Sequence, residues 1–195
     1  MRTEEMGAIL LAEIGRLVQE KGRAVLAIDG RCGSGKTTLG AYLQGKLGCP
    51  LIHMDDFYLR KEQRSTARRR EPGGNVDYER FLLEVLTPLA AGKDFSYRPY
   101  DCATWSMKAP VEVKNGETAI VEGSYSCHPT LSPLYDLRVF LTVDPQTQME
   151  RIRRRNGEEK AKVFRDLWIP LEELYFKNVP VEKSCDFRFE TGTDS

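Results

Sequence analysis

Ala24-Val25-Leu26-Ala27-Ile28-Asp29-Gly30-Arg31-Cys32-Gly33-Ser34-Gly35-Lys36-Thr37 passes from an apolar run into a glycine-rich loop, and from Thr38 the chain becomes helix-forming. The glycines, the lysine and the threonine stand at Walker A spacing, between a strand and a helix, where a phosphate cradle needs them. Gly30, Gly33 and Gly35 free the loop to turn backbone N–H groups inward on phosphate oxygens, with Cys32 and Ser34 between them and Thr38 after them. The helix that follows points its partly positive end at the same anion. Lys36 is placed to reach the β- and γ-phosphates, and the Thr37 hydroxyl to coordinate Mg²⁺. The stretch predicts a nucleoside-triphosphate site. Cys32, inside the loop, reads as an inert filler of a variable position.

The rest of the composition narrows the class. The chain has 195 residues, enough for one domain with a full core. Its 29 basic and 29 acidic residues cancel, so no whole-molecule field draws it to nucleic acid or to an anionic membrane. The opening residues carry acids and lack the basic start and cleavage site of a signal peptide, and no apolar run reaches transmembrane length. Five cysteines without CxxC pairing fit reduced thiols. These features predict a cytoplasmic protein with no nucleic-acid or membrane partner; a homo-oligomer is compatible with them.

Strand and helix signals alternate along the chain. An amphipathic helix is predicted at about 3–21, with Ile9, Leu10, Ile14, Leu17 and Val18 on one face. A helix follows at about 36–47, then a short buried strand, Leu51-Ile52-His53-Met54. Residues 59–76, basic and rich in turn formers, read as a mobile loop whose charges face solvent. Asp77 is placed to cap a helix at about 78–91, shortened or kinked at Pro88. Short aromatic-rich pieces near 95–113 predict a small antiparallel excursion. Strands are expected at 118–122, 137–143 and 185–189, with helices from Pro145 to about Arg155 and then through Leu174, bent at Pro170. The pattern predicts an α/β fold of the P-loop NTPase class: one domain over 1–195 with a mostly parallel, doubly wound sheet and helices on both faces.

Ligands of such sheets bind at the carboxyl ends of strands, so acids there come first. Asp29, Asp55, Asp56 and Glu122 occupy these ends. Adjacent strand residues point to opposite sides, so only one of Asp55 and Asp56 can face the γ-phosphate. Glu122, ending an apolar strand, fits a Walker B acid that holds Mg²⁺. The turn carrying Arg151, Arg153, Arg154 and Arg155 could stabilise charge on a transferring phosphoryl group. His53 reads as a hydrogen-bonded core histidine, and His128 lacks the partners of a metal site.

In their order along the chain, GRCGSGKTT, MDDFYLR, NVDYERF, PYD, AIVEGSY and PLEELYF…CDF resemble the uridine kinase and phosphoribulokinase group of P-loop kinases, with uridine kinase the nearest match. The likeness spans about residues 24–190. It implies transfer of the γ-phosphoryl of ATP, with Mg²⁺, to a hydroxyl of a small-molecule acceptor that is nucleoside-like. It further implies Asp55 as the carboxylate that takes the acceptor proton, Tyr58, Asp77 and Tyr100 along the acceptor site, and Arg151 and Arg155 in a lid of about 153–164 that contacts phosphate. Where uridine kinases read the pyrimidine with a histidine, this chain has Trp105, which offers a stacking face in place of that hydrogen bonding. The lid is short, and Glu71-Pro72-Gly73-Gly74 matches no family segment. These departures leave pantothenate or a pentose phosphate as alternative acceptors. A nucleotide-binding regulator without an acceptor is the third reading; the chain lacks the Asn-Lys-x-Asp guanine motif.

Overall fold

In the computed structural model, which describes residues 1–192, a single five-stranded parallel sheet organises the chain. Its strands are β1 (Ala24–Gly30), β2 (Leu51–His53), β7 (Thr118–Glu122), β8 (Leu137–Thr142) and β9 (Phe187–Glu190), in the order β2-β7-β1-β8-β9. β1 lies in the middle and is buried along its whole length. Alternate side chains of β1 enter two separate cores: Val25 and Ala27 on one face, Ala24, Leu26 and Ile28 on the other. Apolar residues on both sides of the pleat are what a doubly covered parallel strand requires.

Helices supply the cover. α1 (Thr3–Lys21) buries Met6, Leu10, Ile14 and Leu17, and α2 (Lys36–Leu47) buries Leu39 and Leu43, in the Leu26 core. The opposite core receives Phe81, Val85, Leu86 and Leu89 from α4, the helix over 78–90, and Tyr175 from α6, the helix over 158–178. Between them, α5 (Pro145–Asn156) is capped by Asp144, whose carboxylate accepts from Thr147 N–H at 2.9 Å. The expected excursion is present as two small antiparallel pairs, β3 (Phe95–Tyr97) with β6 (Val111–Val113) and β4 (Tyr100–Asp101) with β5 (Ser106–Met107).

Two expectations change, and the helices expected to kink or bend at Pro88 and Pro170 run on through them. The strand after α2 stops at His53, and residues Met54–Phe57 form a 3₁₀ turn. The two prolines do not break their helices. Leu82–Leu86 and Phe164–Trp168 are π-helical turns, in which Thr87 N–H bonds Leu82 C=O and Ile169 N–H bonds Phe164 C=O. Each π turn ends two residues before a proline, so the extra residue takes up the amide hydrogen bond that Pro88 or Pro170 cannot make. Residues 59–76 are structured as well: the segment holds a short helix, α3 (Thr66–Arg70), capped by Ser65. Arg68 donates to the carbonyls of Gly74 and Val76, pairs with Glu79 and lies 4.2 Å over the Tyr78 ring. Its charge is spent on the segment and on the helix start that follows it. No helix among the described residues is long and apolar enough to cross a membrane.

Candidate active site

The phosphate loop between β1 and α2 is clamped from outside through its carbonyls. Lys36 Nζ donates to Gly30 O at 2.7 Å and to Arg31 O at 2.9 Å. Gln148 Nε2 holds Cys32 O at 2.9 Å, Arg151 Nη1 holds Gly33 O at 3.2 Å, and Thr191 Oγ1 holds Ser34 O at 2.9 Å. With each carbonyl from 30 to 34 taken by a side chain, what the loop leaves free is the Ser34 hydroxyl and the N–H groups of Gly33, Gly35, Lys36 and Thr37, donors that suit an anion. Gly30 has no substitute: at φ +132° an added Cβ would lie 1.9 Å from Leu141 O. Burial pushes the Cys32 thiol up to about 12, in keeping with an inert position.

Around the loop opens a cleft of about 680 Å³, within the size range of small-molecule sites. Gly33, Ser34, Gly35, Lys36, Thr37 and Thr38 line one side. Thr37 Oγ1 donates to both oxygens of Glu122, at 3.3 and 3.2 Å, and His53 Nδ1 donates to Glu122 Oε1. That bond raises the pKa of His53, and the partner of this hydrogen-bonded histidine is the strand-end acid. Among the described residues no group of three or more His, Cys, Asp or Glu side chains could hold a metal alone. The Thr37 hydroxyl and the Glu122 carboxyl make a hard-oxygen pair beside the loop, a donor set that suits Mg²⁺ shared with phosphate oxygens.

In the same cleft, Asp55 accepts from Tyr58 O–H at 3.0 Å. Its side chain is open to the cleft, yet the protein around it raises its pKa through lost hydration, with Lys36 opposing. Asp56 turns away and accepts from Tyr97 O–H at 3.0 Å. One acid therefore faces the loop, as expected, although a 3₁₀ turn and not strand alternation separates the pair. Asp29, fully buried, accepts from the N–H groups of Gly30, Tyr125 and Cys127 and from Tyr175 O–H, so it fastens the loop after β7 to the end of β1.

Arg151 and Arg155 line the cleft, together with Arg154. Arg151 is also tied to Thr191 Oγ1 at 2.9 Å and to Gly192 O at 2.6 Å, while Arg155 sits over the Phe164 ring at 5.8 Å. The residues assigned to the acceptor divide. Tyr58 is on the cleft wall; Asp77, Tyr100 and Trp105 are not. Asp77 caps α4 through Arg80 N–H and accepts from Gln63 Nε2 at 2.8 Å. Tyr100 is buried opposite Met107 in the β4–β5 pair. Trp105 occupies the tip of that hairpin at φ +56°, 48% exposed, with the Arg64 guanidinium 4.5 Å over its ring. A hairpin tip points its side chains outward, and the face expected to stack on a ligand already carries an arginine.

Other residues take the vacant wall. Asn75, Tyr125, Trp168 and Glu172 face the cleft. Glu172 accepts from Cys32 N–H at 3.0 Å and from Ser124 O–H at 2.6 Å, joining α6 to the phosphate loop. The PLEELYF segment contains it, but helical periodicity alone does not say that a glutamate faces inward. Trp168 packs 6.0 Å from the Tyr58 ring and arrives through the π turn, which no periodic pattern displays.

Known structures share this architecture. One described as a possible uridine kinase from Bacillus stearothermophilus aligns with a TM-score of 0.65 at 23% identity, over 92% of this chain and 98% of its own. Another, provisionally described as a fructose transport system kinase from Silicibacter sp. TM1040, aligns with a TM-score of 0.71 at 22% identity, over 97% and 99%. A Saccharomyces cerevisiae protein, provisionally described as a P-loop kinase with a circular permutation, gives 0.65 at 13% identity over the whole of both chains. At such identities the likeness establishes the P-loop fold. A family model described as an AAA domain matches residues 26–166, from inside β1 through the phosphate loop and α5 into the π turn of α6, and the chain belongs to that family.

Proposed function

We propose that the protein is an ATP-dependent phosphotransferase that moves the γ-phosphoryl group to a hydroxyl of a small molecule, nucleoside-like by its sequence resemblance. The observation that carries this reading is a carboxyl group, Asp55, lining the same cleft as Lys36, Thr37 and Glu122. A switch protein needs the phosphate half alone; a base across from it suits an alcohol. In the reaction the acceptor oxygen bonds the γ-phosphorus as the bond to ADP breaks, and the hydroxyl proton passes to Asp55. Lys36 and the loop's N–H groups stabilise the β- and γ-oxygens, with Arg154 and Arg155 lining the same cleft. Thr37 and Glu122 would hold Mg²⁺, which supplies charge neutralisation between the β- and γ-phosphates when bound. His53 orients Glu122 for that task.

A second reading, a kinase for another hydroxylated metabolite such as pantothenate or a pentose phosphate, gains from the placement of Tyr100 and Trp105 away from the cleft. The test is an ADP-release screen with Mg·ATP over nucleosides, sugars, pantothenate and pentose phosphates, repeated with Lys36→Ala. Acceptor-dependent ADP release by the wild type, abolished in the variant, is expected. Turnover unchanged by Lys36→Ala would remove the phosphate-loop assignment.

A further inference from the structure

An acid of the protein holds one N–H of the phosphate loop. Glu172, on α6 and only 4% exposed, accepts from Cys32 N–H with Oε2 at 3.0 Å and from Ser124 O–H with Oε1 at 2.6 Å. Two oxygens that both accept are the bonding pattern of a carboxylate. Its neighbour Glu173 pairs with Arg31, but among the described residues no lysine or arginine pairs with Glu172. A buried carboxylate without a cation is costly, and hydrogen bonds from two neutral donors offset only part of that cost. Such breaches of the rules that the rest of a core obeys gather at functional sites.

The carboxylate stands beside the donors that suit a triphosphate. Cys32 is followed by Gly33, whose N–H is free, and Gly33, Asp55 and Glu172 line the same cleft. Consecutive amides of such a loop aim at one concavity. A phosphoryl oxygen on Gly33 N–H therefore comes close to the Glu172 carboxylate, and in a sheltered cleft like charges at short range repel strongly. Two side chains register the Glu172 charge. Burial first and Glu172 next push the Cys32 thiol up to about 12, while burial first, then Asp55, and Glu172 after them raise the Tyr58 phenol. Tyr58 donates to Asp55, so Glu172 acts within reach of both the loop and the proposed base. A base serves the acceptor hydroxyl, which attacks at the γ-phosphorus, and this puts Glu172 toward the γ-phosphoryl end of a bound nucleotide.

We propose that Glu172 sets the balance between triphosphate and diphosphate at the loop: its carboxylate holds the Cys32 N–H, opposes the γ-phosphoryl group, and leaves a nucleoside diphosphate nearly unaffected. The proposal rests on the phosphotransferase reading, since Asp55 marks the γ-phosphoryl end only as the base. Triphosphate is then held less tightly than the loop alone would hold it. The opposition is felt along α6, which carries Trp168 one turn earlier, packed 6.0 Å from the ring of Tyr58.

Glu172→Gln tests this, because an amide keeps an oxygen for Cys32 N–H and loses the charge. Calorimetry on the full chain with Mg²⁺ compares ADP with the non-hydrolysable β,γ-imido analogue of ATP. In Glu172→Gln the Kd of the analogue should fall about tenfold, while that of ADP moves less than about threefold. The ratio of the two constants is read on folded protein, so a loss of stability alone does not shift it. Glu172→Met, also uncharged, should move the ratio in the same direction and decides the matter if the glutamine variant does not fold. A ratio unchanged from the wild type's overturns the inference, whether both nucleotides bind as before or both weaken together, as a purely structural glutamate requires. The phosphotransferase reading fails separately, when neither nucleotide binds the wild type, and then takes the inference with it.

Discussion

Asp55 and Asp56 share a turn and have different partners. Asp55 faces the phosphate loop with one hydrogen bond, from Tyr58, and Asp56 is committed to Tyr97 on the far side. Asp55→Asn should leave Mg·ATP affinity intact and lower kcat by roughly 10²–10⁴, the loss expected when a positioned base is removed. Asp56→Asn, which removes a structural bond, should cost kcat far less. A side-by-side assay checks the order, and the reverse order would move the base. The pH profile is a second check. Because lost hydration raises the pKa of Asp55, the base needs a pH above the ordinary carboxylate value of 3.8 to be ionised. The kcat/KM profile should therefore fall in acid from a point above 3.8, and that limb should vanish in Asp55→Asn.

Short irregular elements deliver the proposed acceptor side of the cleft. The turn Glu71-Pro72-Gly73-Gly74 is wedged between α3 and the loop after β7. Gly73 sits at φ +79°, where an added Cβ would come 2.8 Å from His128 and 3.2 Å from Tyr175. His128 itself stacks on Tyr78, with ring centroids 3.9 Å apart, and its burial lowers its pKa to about 4, so it is neutral near pH 7. Gly73→Ala should destabilise the fold by about 1–3 kcal/mol through the left-handed backbone and the overpacked contact. Asn75 lies two residues on, so the same substitution should raise the acceptor KM and leave that of Mg·ATP nearly unchanged. Urea melts read the first effect and initial-rate kinetics the second; an unchanged melt would mean that the turn yields without strain.

Across the molecule, the phosphate loop is where separate layers meet. Its carbonyls are held by Gln148 and Arg151 of α5 and by Thr191 just past β9, and its Cys32 N–H by Glu172 of α6. Bound triphosphate therefore stabilises more than a loop. At 100 times its Kd, Mg·ATP should add about 2.7 kcal/mol to the unfolding free energy. Gln148→Leu removes the hold on Cys32 O without touching the nucleotide. It should reduce the rise in Tm that a fixed Mg·ATP concentration produces, and a rise equal to the wild type's would show that the clamp is dispensable. The whole chain carries no net charge, so these effects are local to the cleft.

The parallel sheet, its double cover, the phosphate loop and the strand-end acids were legible in the sequence, because each is marked by a pattern close along the chain: continuous apolar runs, helical periodicity, glycines at fixed spacing. Lys36, Thr37, Asp55 and Glu122 come together simply because they begin the helix after β1, follow the end of β2, or end β7 beside it. The acceptor wall was not legible. Asn75, Trp168 and Glu172 enter it from a turn and a helix far apart in sequence, and Trp168 does so through a π turn that shifts the helical register. Trp105 shows the converse. Its place in the order of motifs put it at the acceptor, but a two-residue pairing of Tyr100-Asp101 with Ser106-Met107 made a hairpin and turned the ring outward under Arg64. Periodicity encodes which face of an element is buried; which segments share a cavity is decided by packing between them, and that only the tertiary structure specifies.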